Sequence, residues 1–289
     1  MTRNSKPCSI FASKCRKMII FPKAKINLGL RITRKRPDGY HDIETLFYPV
    51  SLSDALEFVV SPVPVTKDIL TLTGINTGSD PEDNLVIKTL RKLREKYKFP
   101  FLKIHLHKII PVGAGLGGGS SDAAFLLKAI NRRFELFIDE DSLKATALEM
   151  GSDCPFFIDS APAFASGRGE ILKPSRPVLT GYYILLVNPG IGISTREAFQ
   201  NCLPENPSTH LLQLIERPVT EWKGLILNDF ETFAFRKYPL IGELKEELYK
   251  SGAFFSLMSG SGSTVYGLFS EKPKIPGSLK DFVIWEGVI

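Results

Sequence analysis

The chain has 289 residues, of which 43% are apolar and 24% charged, with a formal net charge of +6. That size suits one large or two moderate domains, and the balance is that of a soluble globular protein, not a disordered or fibrous one. No apolar run approaches the ~20 residues of a spanning helix. The four cysteines, Cys8, Cys15, Cys154 and Cys202, include no Cys-x-x-Cys pair, which argues against a disulfide framework or a structural zinc and fits the cytoplasm.

In chain order, residues 1–17 carry five Lys or Arg and no acid. They lack apolar periodicity and read as an extension outside the fold, with Met18 the natural start; a transit peptide is the competing reading. MIIFPKAKINLGLRIT predicts one or two strands interrupted near Pro22. RKRPDGYHD is a turn with Asp38-Gly39 at its tip, and IETLFYPVSLSDALEFVV is strand-like again. Asp80-Pro81 predicts an N-cap and a proline at the first helical position; Val86, Leu90, Leu93 and Tyr97 follow at helical spacing. FLKIHLHKII alternates, with Leu102, Ile104 and Leu106 on one face and Lys103, His105 and His107 on the other, as a half-exposed strand does. His105 and His107 have no third metal ligand at suggestive spacing.

Residues 111–124, PVGAGLGGGSSDAA, place five glycines in seven residues, just before an amphipathic helix marked by Ala123, Leu126, Leu127 and Ile130. Glycine is costly to order, so this density predicts backbone N–H groups brought close to a ligand. The helix N-terminus behind them favours an anion, and phosphate is the expected one. A second helix runs from about residue 142 to 150 and stops at Gly151. YYILLVNPG is a buried strand, and FFSLMSG with STVYGLF predicts two strands joined through a glycine-serine turn. Proline and glycine accumulate over 161–180, where a domain boundary fits.

Three phosphate loops compete for the glycine run. A P-loop fails because no Lys follows the last glycine. A dinucleotide fingerprint matches at Gly113, Gly115 and Gly118, with Asp139 and Glu140 about twenty residues on. However, the strand before it alternates, whereas a buried parallel strand reads as continuously apolar, and the two serines have no role. The third option fits better: PVGAGLGGGSSDAA resembles the phosphate loop of the GHMP kinases. FPKAKINLGL and MSGSGSTVYGLF resemble the first and third motifs of that family. RPDGYHDIETLF, EDNLVIKTL and GSDCPFF resemble the branch that phosphorylates a cytidine diphosphate ester of methylerythritol, in the non-mevalonate route to isoprenoids.

The resemblance implies an α+β fold with two lobes around a cleft: a ribosomal protein S5 domain 2-like ATP-binding lobe over 18–165 and a ferredoxin-like substrate lobe over 166–289. It implies ATP as phosphoryl donor with Mg²⁺, and a loop of Pro111, Val112, Gly113, Ala114, Gly115, Leu116, Gly117, Gly118, Gly119, Ser120 and Ser121 around the phosphates. The serines could instead cap the helix. Asp153 matches the base that takes the proton of the acceptor hydroxyl, and Lys25 its partner. Asn27, Tyr40, His41, Thr195, Phe199 and Gly260 match substrate contacts, with Tyr40 and Phe199 sandwiching the cytosine and His41 at its edge. Asn84, Leu85 and Lys88 would lie near adenine. The basic run at 31–36, RITRKR, adjoins the turn and could meet a diphosphate or, with the net charge, a nucleic acid. The expected partner is a small molecule, with neither nucleic acid nor membrane, and the expected state is a monomer or weak homodimer. A homoserine or mevalonate kinase and an NAD-dependent oxidoreductase are the alternatives.

Overall fold

The computed structural model describes residues 17–78, 80–205 and 209–289. Of the expected N-terminal extension only Lys17 is among them, paired with Glu57; the rest lies outside the described residues. The twelve described strands form three four-stranded sheets. The first holds β1 (Met18–Ile20), β4 (Ala55–Val60), β6 (Leu102–Lys108) and β5 (Ile69–Gly74), side by side in that order. The second runs β2 (Lys23–Lys35), β3 (His41–Ser53), β7 (Ala163–Ser166), β8 (Ile171–Pro174). The third runs β10 (Phe255–Met258), β11 (Val265–Phe269), β9 (Tyr183–Val187), β12 (Val283–Val288). Among these ladders only β5 with β6 is parallel.

Helices α1 (Leu85–Arg94), α2 (Gly118–Arg133) and α3 (Glu140–Met150) cover the first sheet. Val86, Leu90, Leu126, Ile130 and Leu143 from these helices share one core with Leu56, Phe58, Leu102, Ile104 and Leu106. The alternation of 102–107 thus has its expected cause, one face on the helices and one toward solvent. Short α4 (Phe156–Asp159) adds to the same core. Beyond it lie α5 (Thr195–Gln200), α6 (Leu211–Ile215), α7 (Glu231–Lys237), α8 (Pro239–Lys250) and α9 (Gly277–Lys280). Ile241, Leu244 and Leu248 of α8 pack with Met258 and Val265 of the third sheet. The middle sheet ties the halves together: Ala24, Ile26 and Leu28 of β2 are buried with Ile184, Leu186, Leu257 and Leu268 of the third sheet, and the Tyr266 hydroxyl donates to the Asn27 carbonyl at 2.9 Å.

Two local expectations change. The helix foreseen from Pro81 begins as a 3-10 turn (Pro81–Asp83) capped by Asp80, and Asn84 then caps α1 by accepting from Val86 N. The strand-like run after Ile43 is two strands in different sheets. It breaks at Asp54, whose N–H donates to the Pro22 carbonyl and whose carboxylate accepts from the N–H groups of Ile109 and Ile110 at 2.5 and 2.9 Å. The expected division at 165/166 falls inside β7, whose hairpin with β8 extends the sheet of β2 and β3.

Candidate active site

A cleft of about 1310 Å³ opens between the glycine loop, the middle sheet and the turn that follows β10. The loop is fixed by close backbone approach. Gly115 and Gly117 have φ of +77° and +70°, a conformation that only glycine adopts cheaply. A Cβ at Gly115 would overlap the Ser259 carbonyl oxygen, and one at Gly117 would lie 3.2 Å from Cε of Lys25. Ser259 Oγ donates to the Gly115 carbonyl at 2.9 Å, and Thr264 N to that of Ala114 at 3.2 Å. Gly117 is also the N-cap of α2, without a side-chain cap bond, so neither Ser120 nor Ser121 caps the helix. The first N–H groups of a 16-residue helix therefore face the cleft beside Gly118, Gly119 and Ser120, as an anion site requires.

Not every loop residue lines the cleft. Leu116 is buried in the apolar core, with its carbonyl accepting from Lys25 N at 3.0 Å. Ser121 is fully buried, its hydroxyl without a protein partner. Asn84 and Leu85 line the cleft, but Lys88 stands outside it with Asp83 at 3.4 Å.

At the cleft floor the Lys25 ammonium, 3% exposed, sits 3.4 Å from Asp153 Oδ2. It donates to Asn27 Oδ1 at 2.6 Å and lies 4.9 Å from the Phe47 ring centre. Asn27 is itself held, donating to Thr45 Oγ1 at 2.9 Å while its N–H donates to Ser259 Oγ. Asp153 lies between the end of α3 and Pro155, and its side chain stays about one-third exposed. A buried cation and an accessible carboxylate thus share the space before the glycine loop: a fixed positive charge beside a proton acceptor.

The turn lies across the cleft. His41 stacks on Phe199 with ring centres 5.0 Å apart and planes 14° apart, and Phe199 meets Phe230 edge-on. Burial, then the nearby Lys35 charge, hold the His41 imidazole below its ordinary pKa, favouring the neutral ring. His41 thus covers one face of Phe199, the ring expected to sandwich a base with Tyr40. Tyr40 is exposed and carries the Arg168 guanidinium over its ring at 4.7 Å. Thr195 Oγ1 is 3.1 Å from Ser261 Oγ, and both residues line the cleft with Gly260.

The basic run at 31–36 is largely taken up by the protein. Arg31 donates to the Thr209 carbonyl at 2.6 Å, Arg34 pairs with Asp42 at 2.6 Å and Arg36 with Asp38 at 2.9 Å. Only Lys35 of the run lines the cleft. Asp139 and Glu140, weighed above for a ribose, sit at the start of α3: Asp139 caps it through Ser142 N at 2.9 Å, and Glu140 pairs with Lys144 at 2.6 Å.

The family models for the GHMP kinases N-terminal domain and C-terminal domain match residues 84–166 and 211–276. The chain belongs to the GHMP kinase family. Among the relatives of this GHMP kinase is the 4-diphosphocytidyl-2-C-methyl-D-erythritol kinase of Bacteroides thetaiotaomicron, 52% identical over 90% of this chain and 94% of that protein. The protein of that name from Parabacteroides distasonis is 50% identical over 93% and 99%. A solved 4-(cytidine 5'-diphospho)-2C-methyl-D-erythritol kinase superposes with a TM-score of 0.71 at 35% identity, over 87% of this chain and 90% of that one. A homoserine kinase from Cytophaga hutchinsonii shares the fold alone, with a TM-score of 0.63 at 18% identity.

Two features of this GHMP kinase escaped the sequence reading. Lys108 is 3% exposed and pairs with both Asp54 and Asp122, the latter at 2.7 Å. Burial pulls its ammonium down, but the two carboxylates outweigh that and raise it. Burial also pushes the Asp122 carboxyl up to about 7, against the pull of Lys108, and Asp122 Oδ1 has no protein partner. The cluster lies under the start of α2, where a Cβ at Gly118 would be 3.3 Å from Lys108 Nζ. The missed signal is parity: Lys108 shares the inward face of β6 with Leu102, Ile104 and Leu106, and an inward lysine needs a carboxylate. The second feature is Arg168, on the β7–β8 hairpin, which no motif singled out.

Proposed function

We propose that the chain transfers the γ-phosphoryl group of ATP to the 2-hydroxyl of 4-diphosphocytidyl-2-C-methyl-D-erythritol. The observation that carries this reading is the Lys25–Asp153 pair, 3.4 Å apart and facing the N-terminus of α2, in a chain 52% identical to a kinase of that name. ATP places its phosphates on the N–H groups of the glycine loop and of the first turn of α2. Asp153 takes the hydroxyl proton as the acceptor oxygen bonds to the γ-phosphorus and the bond to ADP breaks. Lys25, oriented by Asn27, supplies fixed positive charge to the transferring group.

Among the described residues no group of three or more His, Cys, Asp or Glu could cage a metal. That fits Mg²⁺, which prefers one or two protein oxygens plus substrate phosphates. Ser120, lining the cleft at the first turn of α2, would hold it, and the ion would neutralise charge on the β- and γ-phosphates. The cytosine stacks on Tyr40 beside the His41–Phe199 pair, and the neutral imidazole reads its edge through a ring nitrogen. No described helix is long and apolar enough to cross a membrane. We place the enzyme in the cytoplasm, as a monomer or weak homodimer acting on a small molecule.

The experiment is ATP consumption with product identification across a panel of acceptors. The cytidine diphosphate ester should be phosphorylated far faster than mevalonate or homoserine. Comparable turnover of either would overturn the acceptor and leave only the family.

A further inference from the structure

We propose that Arg168 holds the diphosphate of the acceptor and thereby sets the preference for a nucleoside diphosphate ester. The proposal rests on the acceptor reading above. The acceptor hydroxyl belongs at Lys25 and Asp153, and the cytosine belongs at Tyr40, His41 and Phe199, so the diphosphate must span the interval between them. The β7–β8 hairpin tip occupies that interval. A Cβ at Gly169 would lie 3.8 Å from Asp153 Oδ1 and 3.6 Å from the Phe47 ring. The preceding residue, Arg168, puts its guanidinium over Tyr40. One hairpin thus touches both the reaction centre and the base platform.

The tip is held in place. The Gly167 carbonyl accepts from Ile43 N at 2.7 Å, two residues from His41, and Gly169 N donates to the Ser166 carbonyl at 3.1 Å. The Arg168 N–H donates to Glu170 Oε2 at 2.5 Å. The guanidinium donates to no protein acceptor among the described residues; its carboxylate contact is Glu170 Oε1 at 3.6 Å, with about a third of the side chain exposed. A planar fork with open N–H groups matches phosphate oxygens two at a time, which a lysine cannot do. Other cations share the space, and the acid that the Arg168 charge reaches at the turn already has a partner. Lys35 and Arg196 line the same cleft, while Asp38 is engaged by Arg36. The three arginines at 31–36, the sequence candidates for this task, are already bonded to the protein.

The test measures binding of cytidine and of cytidine 5'-diphosphate to the full chain, with the nucleotide site saturated by a non-hydrolysable ATP analogue. Wild type should bind the diphosphate about tenfold to a hundredfold more tightly than cytidine, the range of a charge-assisted bidentate contact. In Arg168→Met that ratio should collapse to within ~3-fold, with cytidine and ATP-analogue affinities unchanged, and Arg168→Lys should fall between. Unchanged analogue affinity shows that the variants are folded. An undiminished ratio in Arg168→Met overturns the proposal. So does an equal loss for both ligands, which would make Arg168 a mere prop for Tyr40, and so does a wild type with no preference. Turnover of the cytidine diphosphate ester by wild type is measured alongside. Its absence while the ratio still tracks Arg168 would sink the acceptor reading alone; its presence with no Arg168 effect would sink this proposal alone.

Discussion

The two ends of the cleft are built in different ways. At the glycine loop the chain offers backbone: N–H groups at the start of α2, a loop locked to the Ser259 carbonyl, and buried charges beneath at Asp54, Lys108 and Asp122. At the turn it offers side chains. Tyr40 is exposed, His41 leans on Phe199, and Arg168 reaches in from another hairpin. A backbone site fits any nucleoside triphosphate phosphate chain and tolerates little change, because its geometry is the fold itself. A side-chain site is adjustable one residue at a time, and there the members of a kinase family can diverge in acceptor while sharing a donor.

That contrast breaks first at Gly115. Gly115→Ala should force the loop away from Ser259, adding about 1–2 kcal/mol of left-handed strain to about 1–3 kcal/mol of overpacking. Thermal unfolding should drop accordingly, and ATP-analogue affinity should fall with it. Gly113 also has positive φ, at +63°, but a Cβ there meets nothing within 4 Å, so Gly113→Ala should show the strain alone. Equal effects at the two positions would contradict the role given to the Ser259 contact.

The acceptor end should respond more mildly and more selectively. Phe199→Ala removes the surface on which His41 rests and should weaken the acceptor roughly tenfold to a hundredfold, the equivalent of one stacked base, with ATP binding nearly unchanged. Matched losses for both substrates would mean that the two ends are not separate.

The smallest effect concerns the buried cluster. The Asp122 carboxyl stands at about 7 in the fold against 3.8 for the unperturbed group. The folded state therefore holds this proton more tightly, and its contribution to stability declines as pH rises from about 4 to about 7. Asp122→Asn has no such proton, so its Tm relative to wild type should improve by a few degrees between about pH 5 and pH 8. A constant difference across that range would refute the pH dependence assigned to Asp122.

The backbone end was the more legible from sequence. Five clustered glycines and the apolar stripe of α2 mark a loop and a helix locally, and the alternation of 102–107 marks β6. What sits beneath was only half legible: the parity of β6 turns Lys108 inward, but its carboxylates are identified only once the fold brings Asp54 and Asp122 to it from distant positions. The serines looked like caps because that is their commonest local use, yet the left-handed Gly117 starts the helix and leaves Ser121 buried. At the acceptor end the aromatic residues were legible through a family motif and the basic run through its charge. Charge in a sequence does not reveal pairing: Asp38 and Asp42 engage Arg34 and Arg36, and the arginines that line the cleft, Arg168 and Arg196, lie outside that run.

The central claim is that Asp153, set by Lys25 before the glycine loop, takes the proton of the acceptor hydroxyl. The most direct measurement is kcat of Asp153→Asn with the cytidine diphosphate ester, alongside the affinity of the variant for an ATP analogue. The account predicts a kcat lower by about 10²–10⁴-fold, the usual contribution of a general base, with analogue affinity within about twofold of wild type because the donor is held by backbone. A kcat near wild type, or a loss confined to nucleotide affinity, would contradict it.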